Sequence, residues 1–141
     1  MLKIVVDTDV MVAAFEIATG ASRRLVVDIF NGKAVLLLST SLLLEYEAVL
    51  TRDVNLARSH LSIGSVIEVL DDLARNCGEV VFDYRWRPAA RDADDDLVLE
   101  TAINGGADVI ATFNGADMAA GAARFGIPVE RPALVLRRLR I

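Results

Sequence analysis

The chain has 141 residues, enough for one domain of ordinary size whose core needs no covalent staples. Its 20 acidic and 15 basic residues leave a formal charge of −5, which excludes nucleic-acid coating through a broadly positive surface, and an apolar content of 54% excludes a disordered chain. With Cys77 and His60 the only residues of their kinds, an intrachain disulfide, a cysteine zinc site and any site needing two imidazoles are excluded, so carboxylates must hold any catalytic metal.

Asp7 and Asp9 interrupt the apolar N-terminal run, and no apolar stretch of about 18 residues occurs, so neither a signal peptide nor a membrane span is expected and a cytoplasmic protein is. Leu2 to Val6 reads as a strand buried on both faces, and Val10 to Ile17 as a helix that starts just after it. Thr19 to Ser22 form a turn, Ser22 is the expected N-cap of a helix to Phe30, and Asn31-Gly32 ends it. Ala34 to Leu38 is a second strand. Ser39, Thr40 and Ser41 offer N-caps to a helix reaching about Arg52, with another helical turn or two expected over 53–60. Ser62 or Ser65 opens the next helix, whose Val66, Ile67, Leu70, Leu73 and Ala74 recur at helical spacing, and Asn76-Cys77-Gly78 closes it.

Glu79 to Phe82 is a third strand, and Arg85 to Arg91, with Pro88, a loop. Asp94 to Asn104 is a helix closed by Gly105-Gly106, and Asp108 to Thr112 a fourth strand. A small Ala-rich helix through Arg124, a short fifth strand over Phe125 to Val129 and a helix from Pro132 to Leu139 complete the chain. Strands alternating with helices predict one domain, 1–141, of the α/β class: a three-layer α/β/α fold with a central, mainly parallel sheet of four to five strands. In such sheets ligands sit outside the carboxyl ends of the strands.

Four polar segments fall at that edge. Asp7 and Asp9 follow the first strand directly. Such acids serve as helix caps, but two of them directly after a buried strand are awkward for packing alone. Glu45 and Glu47 flank the apolar face of Leu42, Tyr46, Val49 and Leu50 on opposite sides, and periodicity does not choose between them. Asp92, Asp94, Asp95 and Asp96 precede or open one helix. Charge at a helix N-terminus is favourable by roughly 0.3–1 kcal/mol per site, which explains one or two of them, and four repel one another unless a cation intervenes. Glu100, on the same helical face as Asp96, reads either as an acid behind the site or as solvated, with solvation preferred. Thr112, Asn114 and Asp117 follow the fourth strand, where a simple turn would also use Asn-Gly and Asp.

Hard cations such as Mg²⁺ and Mn²⁺ take oxygen ligands, and two of them about 3.5–4 Å apart can clamp the attacking and leaving oxygens of phosphoryl transfer. The acidic segments therefore suit hydrolysis of a phosphodiester or a phosphomonoester. Arg85, Trp86, Arg87 and Arg91 place cations and an aromatic just before the acidic run, as candidates for phosphate contact and base stacking; a Trp covering the core edge is the simpler reading. Arg23-Arg24 and Arg137, Arg138 and Arg140 read as helix-surface charges, His60 as a surface residue and Cys77 as helix-end packing.

The segments Val5-Val6-Asp7-Thr8-Asp9-Val10, Leu43-Leu44-Glu45-Tyr46 with Val49-Leu50, Asp92-Ala93-Asp94-Asp95-Asp96 with Leu99-Glu100, and Ala107 to Thr112 occur in an order and spacing that resemble PIN-domain proteins. Phe125-Gly126-Ile127 and Pro132 extend the match over nearly the whole chain. The branch it is most similar to comprises toxins of bacterial and archaeal toxin–antitoxin systems. The resemblance implies a metal-dependent ribonuclease acting on single-stranded or structured RNA. It implies Asp7, Glu45 and Asp96 as the acidic core, with Asp117 as a further catalytic acid and Asn114 and Asp117 as further metal ligands. Asp9, Asp94, Asp95 and Thr112 would then be auxiliary, Mg²⁺ or Mn²⁺ the cofactor, and RNA, an antitoxin protein and further copies of the chain the partners. The resemblance selects Glu45 over Glu47. Two positions depart from the family pattern: Asp9 stands where many relatives carry Asn, and Phe113-Asn114 where many carry Gly-Asp after the strand-four Thr.

Two other readings compete. Asp7-Thr8-Asp9 also resembles the first motif of Asp-nucleophile phosphatases of the haloacid-dehalogenase type, but Lys3 and Lys33, the only lysines, are poorly placed for their basic residue. Asn114 motivates a catalytically degenerate PIN module that binds RNA or protein.

Overall fold

The structure, a computed structural model, describes residues 1–82 and 93–140. Five strands, β1 (Lys3–Val6), β2 (Val35–Ser39), β3 (Gly78–Val80), β4 (Val109–Ala111) and β5 (Val129–Glu130), form one parallel sheet in the order β3-β2-β1-β4-β5. Central β1 is paired on both sides, Ile4 with Leu36 and with Val109. Its Ile4, Val5 and Val6 are buried to match, which is why this strand reads as a continuous apolar run rather than an alternating one.

The helices are α1 (Thr8–Glu16), α2 (Ala21–Phe30), α3 (Thr40–Leu50), α4 (Asp53–Ser59), α5 (Ile63–Arg75), α6 (Ala93–Gly105), α7 (Gly115–Ala123) and α8 (Pro132–Leu139). Right-handed crossovers put helices on opposite faces once the strand order reverses direction. Accordingly α1 packs on α2, α3 and α4 and α2 packs on α8, whereas α6 packs on β1, β2, β3 and α7. The outcome is the expected three-layer α/β/α arrangement. Among the described residues no helix is long and apolar enough to cross a membrane.

Local chemistry explains most element ends. Asp7, Ser39 and Ser62 cap α1, α3 and α5 with their side-chain oxygens. Ser22 is not a cap: α2 starts after Gly20, which supplies no side-chain bond, and Ser22 is buried inside the helix. The third strand begins at Gly78, one residue before the expected Glu79, and ends at Val80. A Cβ at Gly78 would sit 2.9 Å from side-chain atoms of both Leu37 and Val35, so any larger residue there would force those side chains to shift. The expected surface arginines are mostly engaged. Arg23 donates to the carbonyls of Ala14 and Phe15 at the end of α1, Arg138 pairs with Glu130, and Arg140 lies 3.4 Å from buried Asp28. Cys77 is half-buried against the core, and His60 ends α4 in the left-handed region at φ 60°.

Candidate active site

The strand order reverses between β1 and β4, so the crevice at their carboxyl ends is the topological switch point, the usual ligand position in such sheets. Asp7 leaves β1 at that point, and its amide donates to the carbonyl of Ala111 at 2.9 Å. Thr112 leaves β4 beside it. The Asp7 side chain is only 5% exposed. One carboxylate oxygen accepts from the Thr8 amide at 2.7 Å and the other from the Thr112 hydroxyl at 2.5 Å. Burial raises the Asp7 carboxyl to about 6; the Thr112 and Thr8 bonds oppose the rise, and the nearby charge of Asp9 adds to it.

Thr112 in turn accepts from the Asn114 amide at 3.0 Å. Asp9, in the first turn of α1, accepts from the Asn114 side-chain amide at 3.0 Å and the Phe113 amide at 3.3 Å. Asp7, Asp9, Thr112 and Asn114 therefore form one connected network joining the ends of β1 and β4. Asn114 makes chemical sense here: its amide donates to a carboxylate that a second acid would repel.

Of the two glutamates on α3, both are half-buried. Beside Glu45, the hydroxyl of Tyr46 donates to the Val6 carbonyl, which pins α3 against the end of β1. Burial, aided by the Asp7 charge, pushes the Tyr46 phenol well above its ordinary value and keeps it a donor. Asp117 lies in the first turn of α7, and its amide bonds the Asn114 carbonyl at 3.1 Å.

Opposite, α6 is tied to the sheet by Thr101. Its hydroxyl donates to the Leu97 carbonyl at 2.8 Å, so in the 2.8 Å contact with Ser39 the serine is the donor. Sequence reasoning did not single out Thr101, although a hydroxyl two residues after the apolar run Leu97-Val98-Leu99 on the acid-bearing helix was the available signal. Glu100 corrects the preferred reading: it is fully buried, not solvated. Arg85, Trp86, Arg87, Arg91 and Asp92 lie outside the described residues, as do the side chains of Asp94, Asp95 and Asp96. Among the described residues no three His, Cys, Asp or Glu side chains are placed to hold a metal together.

A family model described as PIN domain matches residues 3–116, most of the chain and every element from β1 into α7. The chain belongs to the PIN-domain family. No curated protein matched it. This PIN domain therefore has a nuclease-type fold, and hydrolysis is the broad class of chemistry its family supports. Its buried Asp7, with the Asp9 carboxylate close by, is an oxygen-only donor set that suits a hard divalent cation. Binding of a cation would compensate the charge that burial disfavours.

Proposed function

We propose that this PIN domain is a Mg²⁺- or Mn²⁺-dependent endoribonuclease and the toxin of a toxin–antitoxin pair. The observation that carries the reading is Asp7: a carboxyl buried at the switch point, held by Thr112 from the neighbouring strand. Asp7, Glu45 and Asp96 would hold the cation, with Asn114 and Asp117 as further ligands. When bound, the cation would activate water and neutralise charge developing on the scissile phosphate. The chain's own part is orientation. Thr112 fixes one Asp7 oxygen, Tyr46 holds α3 and hence Glu45 against β1, and Asp9 holds the Phe113-Asn114 turn. Asp94 and Asp95 would add negative potential, and Arg85, Trp86, Arg87 and Arg91 would contact RNA. The reading also takes the protein as cytoplasmic, self-associating and bound by a cognate antitoxin.

The test is cleavage of several RNA classes by purified protein with Mg²⁺ or Mn²⁺. Wild type should cut, EDTA should stop it, and Asp7→Asn and Asp96→Asn should each abolish it. Retained cleavage in both variants would overturn the assignment. A degenerate binding module is the second reading, favoured by neutral Asn114; isothermal titration showing no divalent-ion binding would select it.

A further inference from the structure

Beside the acidic network lies a small cavity of about 200 Å³ that the proposed chemistry does not use. Its walls include Ala13, Ile17, Gly20, Phe113, Arg131 and Pro132. They come from the end of α1, the turn before α2, the loop after β4 and the start of α8. Phe113 joins the cavity to the site directly. Its neighbour Thr112 holds Asp7, its own amide is on Asp9, and its side chain is 44% exposed. Ala13 lies one turn along α1 from Asp9, about 6 Å away on the same stripe, and Ile17 is the extended residue that caps the helix, its amide donating to the Ala13 carbonyl. Ile17 is 53% exposed. Arg131 is exposed and makes no ion pair among the described residues, unlike Arg138 and Arg140 on the same C-terminal segment.

An exposed aromatic, an apolar floor and an uncommitted guanidinium next to a phosphodiester-cleaving centre are the components of single-strand recognition. Resting on the ribonuclease reading, we infer that this cavity is a nucleobase subsite. It receives one unpaired base of the RNA beside the scissile phosphate. Phe113 stacks on that base, Ile17 and Pro132 line its edges, and Arg131 contacts a flanking phosphate. The size of the cavity suits one planar heterocycle, and its largely apolar walls predict stacking with little discrimination among bases. An unpaired nucleotide is required, because a paired base cannot leave its stack to enter without an energetic cost.

The test measures binding of a short single-stranded RNA by fluorescence anisotropy in Ca²⁺, with cleavage in Mn²⁺ followed in parallel. Abasic residues are placed at successive positions of the RNA. One abasic position should weaken binding to wild type by about ten- to a hundred-fold. Phe113→Ala should bind the intact RNA that much more weakly and be indifferent to the abasic change. Phe113→Tyr should retain affinity, whereas Phe113→Leu, which keeps an apolar side chain without a ring, should lose it. Arg131→Ala should reduce the slope of log affinity against log salt by about 0.7, the value for one phosphate on a single strand. Should Phe113→Ala fail to fold, the comparison of Tyr with Leu decides. Cleavage by wild type with no abasic or Phe113 effect would overturn the subsite alone. No RNA binding by wild type would overturn it together with the ribonuclease reading. A dimer that dissociates in Phe113→Ala, with RNA affinity unchanged, would assign the cavity to a second copy and overturn the proposal.

Discussion

Replacing Asp7 with asparagine should alter stability by an amount that depends on pH. Burial and the adjacent Asp9 raise the Asp7 carboxyl from 3.8 to about 6 in the folded protein. Between those values the folded state holds a proton that the unfolded chain has released. The stability this confers is lost as pH rises through the folded value. Over the full interval the change is about 3 kcal/mol, and between about pH 4.5 and 7.5 it is about 2 kcal/mol. Asparagine matches the protonated carboxyl in shape and charge. Wild type and Asp7→Asn should therefore be nearly equal in stability only below about pH 3.5, with the variant ahead by about 1 kcal/mol at about pH 4.5 and about 3 kcal/mol at about pH 7.5. Urea unfolding followed by circular dichroism in EDTA, repeated across that range, measures the difference. A difference that does not change with pH, or a variant less stable at neutral pH, would refute the argument that Asp7 is strained by burial. Mn²⁺ should then stabilise wild type and leave Asp7→Asn little changed, because only the carboxylate gains from the cation.

Three further substitutions test the surrounding scaffold. Thr112→Val removes the hydroxyl that donates to Asp7 and accepts from the Asn114 amide, and should cost about 1–3 kcal/mol in urea unfolding while Thr112→Ser restores most of it. Because that bond opposes the rise of Asp7, the acid limb of the pH–rate profile of Thr112→Val should move to higher pH. Tyr46→Phe deletes the bond to the Val6 carbonyl and should destabilise by about 1–2 kcal/mol, with unchanged stability counting against Tyr46 as the strut between α3 and β1. His60→Gly should stabilise by about 1 kcal/mol, since a non-glycine residue ends α4 in the left-handed region; a lower urea midpoint would show that the His60 side chain has another role.

The amino-acid sequence determined the alternation of strands and helices, and with it the fold class. Apolar runs such as Ile4-Val5-Val6 are short, bounded by polar residues, and have one low-energy placement, between two other strands. Capping was legible where the side chain does the work, at Ser39 and Ser62. It was misread at Ser22, because α2 begins on a glycine whose contribution is conformational. The acidic edge was legible as a set of residue types, since carboxylates directly after buried strands are costly unless something compensates them.

Tertiary structure decided how those residues meet. Nothing local to the sequence near Asp7 announces that a threonine 105 positions away donates to it, or that Asp9 reaches across the same gap to Asn114. Both contacts exist because β1 and β4 are adjacent where the strand order reverses, and adjacency in a sheet is a property of topology. The buried state of Glu100 has the same origin: helical spacing does not decide it, and only the packing of α6 across β1, β2 and β3 turns Glu100 away from water. The net charge of −5 likewise belongs to the whole chain. The fold separates Asp7 and Asp9, held in the network at the switch point, from Asp28 and Glu130, which are paired with arginines elsewhere.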